Sequence, residues 1–191
     1  MSTNLSAGTY LTHTGSYRLW GRVYATSGTA VVEFSPAVVE AQLSRVPLVV
    51  LTADRPAELR DRGAPQTIDQ AHLYGRAAKW FTELPLLDGA EATIAHWRWV
   101  AGRAVAVAAA GPVQVNVPFR EPLLPDGPLV GEGDVPARPR PFAEVVAGRR
   151  TLDDGALREL GARCASSQRG LIIAGPDDDP ALPAALALLA G

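Results

Sequence analysis

Short β-branched runs alternate with alanine- and leucine-rich stretches over the first two thirds of the chain. The run at 47–53 is continuously apolar, as expected for a strand that is buried on both faces of a parallel sheet. Together, these runs predict strands at 22–26, 47–53, 80–84 and 113–118 and helices at 30–43, 68–74 and 90–110. This order predicts an α/β fold, a parallel sheet flanked by helices and joined by right-handed crossovers.

The composition changes after the last of these strands. Residues 120–141 contain six prolines among glycines and charged residues, which predicts an extended linker between domains. Beyond the linker, the pattern predicts helices at 152–165 and 181–190 on either side of a buried strand at 170–175. One strand cannot close a sheet, so we interpret residues 142–191 as the incomplete start of a second α/β domain.

Composition and charge exclude several classes of protein. The 191 residues include 18 basic and 20 acidic side chains, a net charge of −2, which argues against a nucleic-acid binder. No apolar run approaches the ~18 residues that cross a bilayer and the N-terminus lacks a signal-peptide pattern, so we expect a cytoplasmic protein without membrane contact. The single cysteine, Cys164, and three scattered histidines provide neither an internal disulfide nor a metal site.

Two loops follow predicted strands at the sheet edge where α/β proteins bind ligands. Residues 26–29 (TSGT) have free backbone N–H groups at the start of the next helix. They either contact an anion or the edge of a cofactor, or they form an ordinary capped turn. Residues 54–66 form a long polar loop, in which the guanidinium of Arg55 suits a carboxylate and Gln66 adds a neutral donor and acceptor. The alternative for this loop is a solvated cluster of arginines and aspartates.

Eight short motifs resemble those of one enzyme family. They are residues 26–30 (TSGTA), 36–41 (PAVVEA), 44–48 (SRVPL), 51–56 (LTADRP), 58–60 (ELR), 63–64 (GA), 66–70 (QTIDQ) and 118–122 (PFREP). The family is that of 2-succinyl-5-enolpyruvyl-6-hydroxy-3-cyclohexene-1-carboxylate synthase, a thiamine-diphosphate enzyme of menaquinone biosynthesis. The block from LTADRP to QTIDQ is specific to this family. The resemblance covers about 21–122, and residues 169–175 are similar to the start of the family's central domain.

The resemblance implies a partial pyrimidine-binding domain at 21–119 and a transferase reaction that uses thiamine diphosphate and Mg²⁺. In that reaction 2-oxoglutarate loses carbon dioxide and its remaining succinyl-semialdehyde unit adds to isochorismate. By the same resemblance, Arg55 and Gln66 line the substrate pocket, with Arg55 holding a substrate carboxylate. The cofactor-binding residues implied in this way are Ser27, Gly28 and Thr29, close to the aminopyrimidine. A homodimer, or association with an intact synthase subunit, is also implied.

The chain departs from the family's pattern at several points. Pro65 stands where the family usually has asparagine, and no acidic residue precedes Glu33, although the family's activating glutamate lies before the TSGTA motif. A metal- and diphosphate-binding GDG…N segment is also missing. Residues 1–20 match nothing that we identify. The family's first strand–helix unit is missing, and we expect its loss to leave a sheet edge open. We therefore predict no catalytic and no metal-binding residue in this chain.

Three functional interpretations follow from these motifs and departures. The first is a truncated synthase that has the family's fold but little or no activity of its own. The second is a non-catalytic binding or regulatory module, which associates with an intact synthase or binds a pathway carboxylate through Arg55. The third is the pyrimidine subunit of a split, two-chain thiamine-dependent decarboxylase.

Overall fold

The computed structural model describes residues 4–11, 17–123, 145–146, 151–175, 179 and 181–190. The chain divides into two compact units, Met1–Val145 and Val146–Gly191, which are described separately below. Most of the predicted linker at 120–141 lies outside the described residues, so its extended form stays a prediction.

The first unit is built on a five-stranded sheet. Its strands are β1 (Asn4–Leu11), β2 (Tyr17–Ala25), β3 (Leu48–Asp54), β4 (Trp80–Glu83) and β5 (Val113–Pro118). They lie in the order β1-β2-β3-β5-β4, in which the four strands from β2 to β4 are parallel and β1 is antiparallel to β2. The prediction of a parallel α/β sheet is confirmed.

The helices of the first unit are α1 (Thr29–Val32), α2 (Ser35–Leu43) and α3 (Glu91–Ala108). The prediction of one continuous helix at 30–43 is wrong, because the chain turns between α1 and α2. Pro36 explains the interruption: it has no N–H to donate to the carbonyl of Val32, and it is accepted in the first turn of α2 instead.

The predicted helix at 68–74 is also wrong. The structure has turns from residue 71 to residue 74 and a short 3₁₀ helix at Gly75–Ala77. His72 adopts a φ of +52°, which lies in the left-handed region and cannot continue an α-helix. A second short 3₁₀ helix, Ala57–Leu59, lies in the polar loop after β3.

The N-terminal segment is part of the sheet. Residues Asn4–Leu11 pair with Tyr17–Tyr24, with Gly8 opposite Trp20. We expected the missing strand–helix unit to leave a sheet edge open, but β1 supplies β2 with a backbone partner there. Among the described strands, β1 and β4 form the two edges of the sheet.

Two apolar clusters cover opposite faces of the sheet. On one face, α2 packs Val38 and Ala41 against residues of β2 and β3 such as Val23 and Val50. On the other, α3 packs against valines of β3 and β5 through Val100, Ala104 and Ala108. The burial of β3 and β5 on both faces is the arrangement that their apolar runs predict.

The described part of the second unit contains two helices, α4 (Asp154–Ser166) and α5 (Leu182–Ala190). The side chain of Asp153 caps α4 by accepting a hydrogen bond from the Ala156 N–H at 2.9 Å. The strand predicted at 170–175 is wrong, because the described residues of this segment have no regular structure and Leu171 and Ile173 are 84% and 85% exposed. An apolar run forms a strand only beside a partner, and the described part of this unit provides none.

Candidate functional site at the carboxyl edge of the sheet

The buried polar residues of the sheet lie on one face, towards the carboxyl ends of the strands. Along β3, this face changes from Val50 to Thr52 and then Asp54, and in β5 Asn116 lies opposite Thr52. All six residues of β5 are buried, so the polar positions of this alternating strand do not face solvent. Buried polar groups of this kind require hydrogen-bond partners.

Asn116 connects these side chains. Its Oδ1 accepts hydrogen bonds from Thr52 Oγ1 at 2.8 Å and from Gln70 Nε2 at 3.0 Å. Its Nδ2 donates to Asp54 Oδ2 and to Glu83 Oε2, both at 2.8 Å. A primary amide has two donor hydrogens and two acceptor lone pairs, so these four bonds use the full capacity of Asn116. We call these residues, together with Arg60, the Asn116 network.

Arg60 supplies the positive charge of the network. Its Nη2 lies 3.0 Å from Asp54 Oδ2, and its two terminal nitrogens donate to both oxygens of Glu83 at 3.1 and 2.9 Å. Burial lowers the pKa of Arg60, but the hydrogen bond to Glu83 and the charges of the nearby acids outweigh burial, so its pKa is raised overall. Arg60 therefore stays charged and neutralises part of the charge of two neighbouring carboxylates.

The predicted cofactor turn, Ser27–Gly28–Thr29, follows β2 at the same edge. Ser27 and Gly28 are buried and Thr29 is exposed. The Gly28 N–H donates to Gln70 Oε1 at 2.8 Å. The expectation of free backbone N–H groups is therefore wrong for Gly28, and α1, with four residues, is too short to act as an anion site.

Arg55, the predicted carboxylate ligand, lies directly after β3. Its backbone N–H donates to Asp54 Oδ1 at 2.7 Å, and its carbonyl accepts a hydrogen bond from Arg60 Nε at 3.2 Å. Its side-chain Nε is buried and has no hydrogen-bond partner in the described part of the chain. A buried, unpaired donor is costly, and an acceptor brought to this guanidinium would relieve that cost.

Gln66, the second predicted substrate residue, is exposed and adopts a φ of +55°. Its backbone packs against Gly28: a Cβ added at Gly28 would lie 2.9 Å from the Gln66 carbonyl oxygen. Gly28 itself has a φ of +81°, so only glycine fits here on both counts. The structure thus brings a predicted substrate residue and the predicted cofactor turn into contact.

A cavity of about 350 Å³ opens beside the network. Its lining includes Asp54, Arg60 and Gln70 from the network and the exposed acids Asp61 and Asp69. Neither Arg55 nor Gln66 belongs to the lining, and nor does the Ser27–Thr29 turn. The acids outnumber the one lining arginine, so this cavity does not suit an anionic substrate.

Residues 5–73 match the family model described as the thiamine pyrophosphate enzyme, N-terminal TPP binding domain. The match begins within the segment 1–20 that the motifs leave unassigned.

The chain is also similar to curated synthases along most of its length. It is 50% identical over 171 residues to 2-succinyl-5-enolpyruvyl-6-hydroxy-3-cyclohexene-1-carboxylate synthase of Geobacillus thermodenitrificans (strain NG80-2), which covers 86% of this chain. Identity to the synthases of the same name from Chloroflexus aurantiacus and Myxococcus xanthus is 49% and 43%, over 88% and 82% of the chain. The chain belongs to this synthase family. It spans 28% of the length of each of these three relatives.

The family model matches only part of the candidate site. The matched domain includes the turn at 27–29, Arg55, Gln66 and Gln70, whereas Glu83 and Asn116 follow it in the sequence. In the described residues, no group of three or more histidine, cysteine, aspartate or glutamate side chains is arranged to hold a metal ion. Of the described helices, none is long and apolar enough to cross a membrane.

Sequence reasoning missed the network itself. Asp54, Arg60 and Gln70 lie within the motifs LTADRP, ELR and QTIDQ, but the motifs alone give them no role. The one available signal was the pair of amides, Gln114 and Asn116, at alternate positions of a strand whose other residues are apolar. Such alternation also fits a strand with one solvated face, so burial had to be observed.

Proposed function

We propose that this chain forms the pyrimidine-side, carboxylate-binding part of a thiamine-diphosphate-dependent 2-succinyl-5-enolpyruvyl-6-hydroxy-3-cyclohexene-1-carboxylate synthase. The observation that carries this proposal is Arg55, whose buried Nε has no partner among the described residues at the carboxyl edge of a parallel sheet. The curated relatives carry the name of a synthase whose product is a carboxylate, which supports carboxylates as the substrate class. The motif resemblance implies 2-oxoglutarate and isochorismate.

Arg55 binds the substrate carboxylate and Gln66 contributes a neutral amide from the exposed side of the same loop. Arginine suits this role because its planar fork matches the two oxygens of a carboxylate. The Arg55 Nε is shielded from solvent, so the side chain turns to meet the ligand. The bond from the Arg55 N–H to Asp54 Oδ1 holds the backbone in place during this movement.

Ser27, Gly28 and Thr29 form the surface that faces the aminopyrimidine of thiamine diphosphate. Clamping of Gly28 by Gln66 and Gln70 fits a rigid contact surface for a ring. The bound cofactor supplies the electron sink for decarboxylation. The described residues do not fit the Mg²⁺ and diphosphate half of the cofactor, since they contain no metal-ligand cluster, and no step is derived through it.

We further propose that the chain binds substrate without moving a proton. Asp54 and Glu83, the carboxylates of the network, are both engaged by Arg60 and Asn116. Neither is free to act as a base. The remaining catalytic groups come from an intact synthase subunit in the cytoplasm, since a homodimer of this chain adds only a second copy of the same residues.

The test of this proposal is calorimetric titration of 2-oxoglutarate, and separately of isochorismate, into the whole chain. Arg55→Ala should abolish detectable binding, and Arg62→Ala, an exposed arginine of the same loop, should leave it unchanged. Equal binding by the wild type and Arg55→Ala would contradict the proposal, as would the absence of binding by the wild type.

A second assay tests whether the chain binds substrate without catalysing the reaction. The chain supplied with thiamine diphosphate, Mg²⁺ and both substrates should produce no succinyl transfer. Sustained turnover by the chain alone would contradict the assignment of a binding role. A binding or regulatory module is distinguished by adding the chain to an intact synthase, whose rate such a module would change.

A further inference from the structure

Gln70 has a role that the motifs do not assign. The side chain is 1% exposed and uses every polar atom: Oε1 accepts from the Gly28 N–H at 2.8 Å, and Nε2 donates to the Ala53 carbonyl and to Asn116 Oδ1, both at 3.0 Å. Its backbone carbonyl accepts a hydrogen bond from Gln114 Nε2 at 2.8 Å. One residue therefore joins the turn after β2 to the ends of β3 and β5.

The other end of the same short segment contacts the same glycine. Gln66 packs its carbonyl against the position that a Gly28 Cβ would occupy. Gly28 is thus held from two sides, by the Gln66 backbone and by the Gln70 side chain. Because residues 66–70 are continuous, a change in the Gln70 bonds changes the place of Gln66 relative to the turn.

We propose that Gln70 is a positioning residue that fixes the Ser27–Thr29 turn and the Gln66 backbone relative to each other. It acts through Gly28 and Asn116 and is not proposed to touch a ligand. The identity of the ligands rests on the proposed function above, whereas the positioning itself rests only on the contacts of Gln70. The hydrogen bonds to Asn116 and Gln114 connect Gln70, and through it the turn, to the interior strand β5.

The experiment is amide hydrogen exchange, resolved by residue, in the ligand-free chain. Gln70→Met removes all three side-chain hydrogen bonds at nearly constant volume. We expect protection of the Gly28 amide to fall at least about tenfold more than protection of the β5 amides, as for loss of a buried hydrogen bond. Thr52→Val is the matched control, since it removes another bond to Asn116 Oδ1 without contacting the turn, and should leave the ratio of Gly28 to β5 protection unchanged.

Gln70→Glu provides the rescue. It keeps an acceptor oxygen for the Gly28 N–H but loses the donor to Asn116 and Ala53, so the ratio of Gly28 to β5 protection should recover only in part from its value in Gln70→Met. If Gln70→Met lowers Gly28 and β5 protection in parallel, Gln70 is a structural residue only and the proposal is overturned. Should Gln70→Met not fold, the wild type still decides: a Gly28 amide that exchanges as fast as an exposed amide contradicts the proposal.

This outcome is independent of the proposed function. If Gly28 responds as expected but the wild type binds neither carboxylate substrate, the positioning role stands and the functional assignment fails. If the wild type binds substrate but Gly28 protection is insensitive to Gln70→Met, the positioning role fails and the functional assignment stands.

Discussion

The two faces of β5 are equally buried but are stabilised in different ways. Val113, Val115 and Val117 pack into an apolar cluster with α3, where contact is non-directional and one apolar side chain can replace another at modest cost. On the opposite face, Asn116 makes four directed hydrogen bonds. The apolar face therefore holds the sheet together, while the polar face fixes the position of individual atoms at the carboxyl edge of the sheet.

The largest loss of stability is expected when Asn116, on the polar face of β5, is replaced by an apolar residue. Asn116→Leu removes one hydrogen bond each from Thr52, Gln70, Asp54 and Glu83 and should lower the free energy of unfolding by about 4 kcal/mol. Val115→Ala, on the other face of the same strand, should lower it by about 2 kcal/mol through lost burial and a small cavity. Urea denaturation measures both, and a smaller loss for Asn116→Leu than for Val115→Ala would refute the contrast between the faces.

Removing the charge of the network should have the next largest effect. Arg60→Met leaves Asp54, whose side chain is 2% exposed, beside Glu83 without a cation. We expect a loss of about 3 kcal/mol at pH 7, because one partner of a buried ion pair is left uncompensated. The double variant Arg60→Met/Glu83→Gln, which removes one of the two acids, should recover part of this loss in the same denaturation assay. Absence of any recovery would show that the two carboxylates are not coupled through Arg60.

The Tyr74 hydroxyl lies in the apolar cluster on the same face of the sheet as the Asn116 network, and it should have a smaller, pH-dependent effect on stability. The Tyr74 hydroxyl donates to the Val31 carbonyl at 2.7 Å, and burial raises the Tyr74 pKa well above its usual value. The unfolded tyrosine ionises near pH 10 while the folded one stays neutral, so this stabilising contribution is present below pH 10 and is lost as the pH rises above it.

Tyr74→Phe should therefore be less stable than the wild type by about 1 kcal/mol at pH 7, the value of one hydrogen bond. The difference should shrink between pH 10 and pH 11, because only the wild type loses stability there: its unfolded state releases the Tyr74 proton that the folded state retains. Urea midpoints for both proteins at a series of pH values measure it. A difference that stays constant up to pH 11 would mean that Tyr74 ionises normally in the folded state.

The smallest effect is expected for an ion pair that lacks burial. Arg120 donates to Glu58 at the surface, and this hydrogen bond lowers the Glu58 pKa. Water and salt screen such a pair, so Glu58→Gln should leave the thermal midpoint unchanged within error in 150 mM salt. A loss comparable to that of Arg60→Met would show that burial does not distinguish these two ion pairs.

The helices and strands were predictable wherever a single hydrophobic periodicity dominated the sequence. The valine-rich strand Val113–Pro118 has the predicted bounds, and Leu48–Asp54 differs from its prediction by one residue at each end. The predictions failed where the backbone geometry of one residue outweighed the hydrophobic pattern. Pro36 divides the helix predicted at 30–43, and the left-handed conformation of His72 prevents the one predicted at 68–74. At 170–175, an apolar composition was not sufficient because a strand also needs a partner.

The candidate site was predictable in part. Motifs identified Arg55 and Gln66 as candidate residues and placed the turn at 27–29 at the same sheet edge, but their binding roles remain predictions. Asn116 and Glu83 come to Asp54 from strands that are distant in sequence, so only the strand order β3-β5-β4 reveals that the three side chains meet. The role of Gln70 depends on a hydrogen bond across 42 residues, which no local pattern encodes.

The central claim is that Arg55 presents an unpaired donor to a substrate carboxylate. The most direct measurement is the ¹⁵N–¹H resonance of the Arg55 Nε group, assigned by comparison with Arg55→Lys, during titration with 2-oxoglutarate. We predict a saturable shift of this resonance, with the Arg62 resonance unchanged. An Arg55 signal that does not move, or that moves in parallel with Arg62, would contradict the claim.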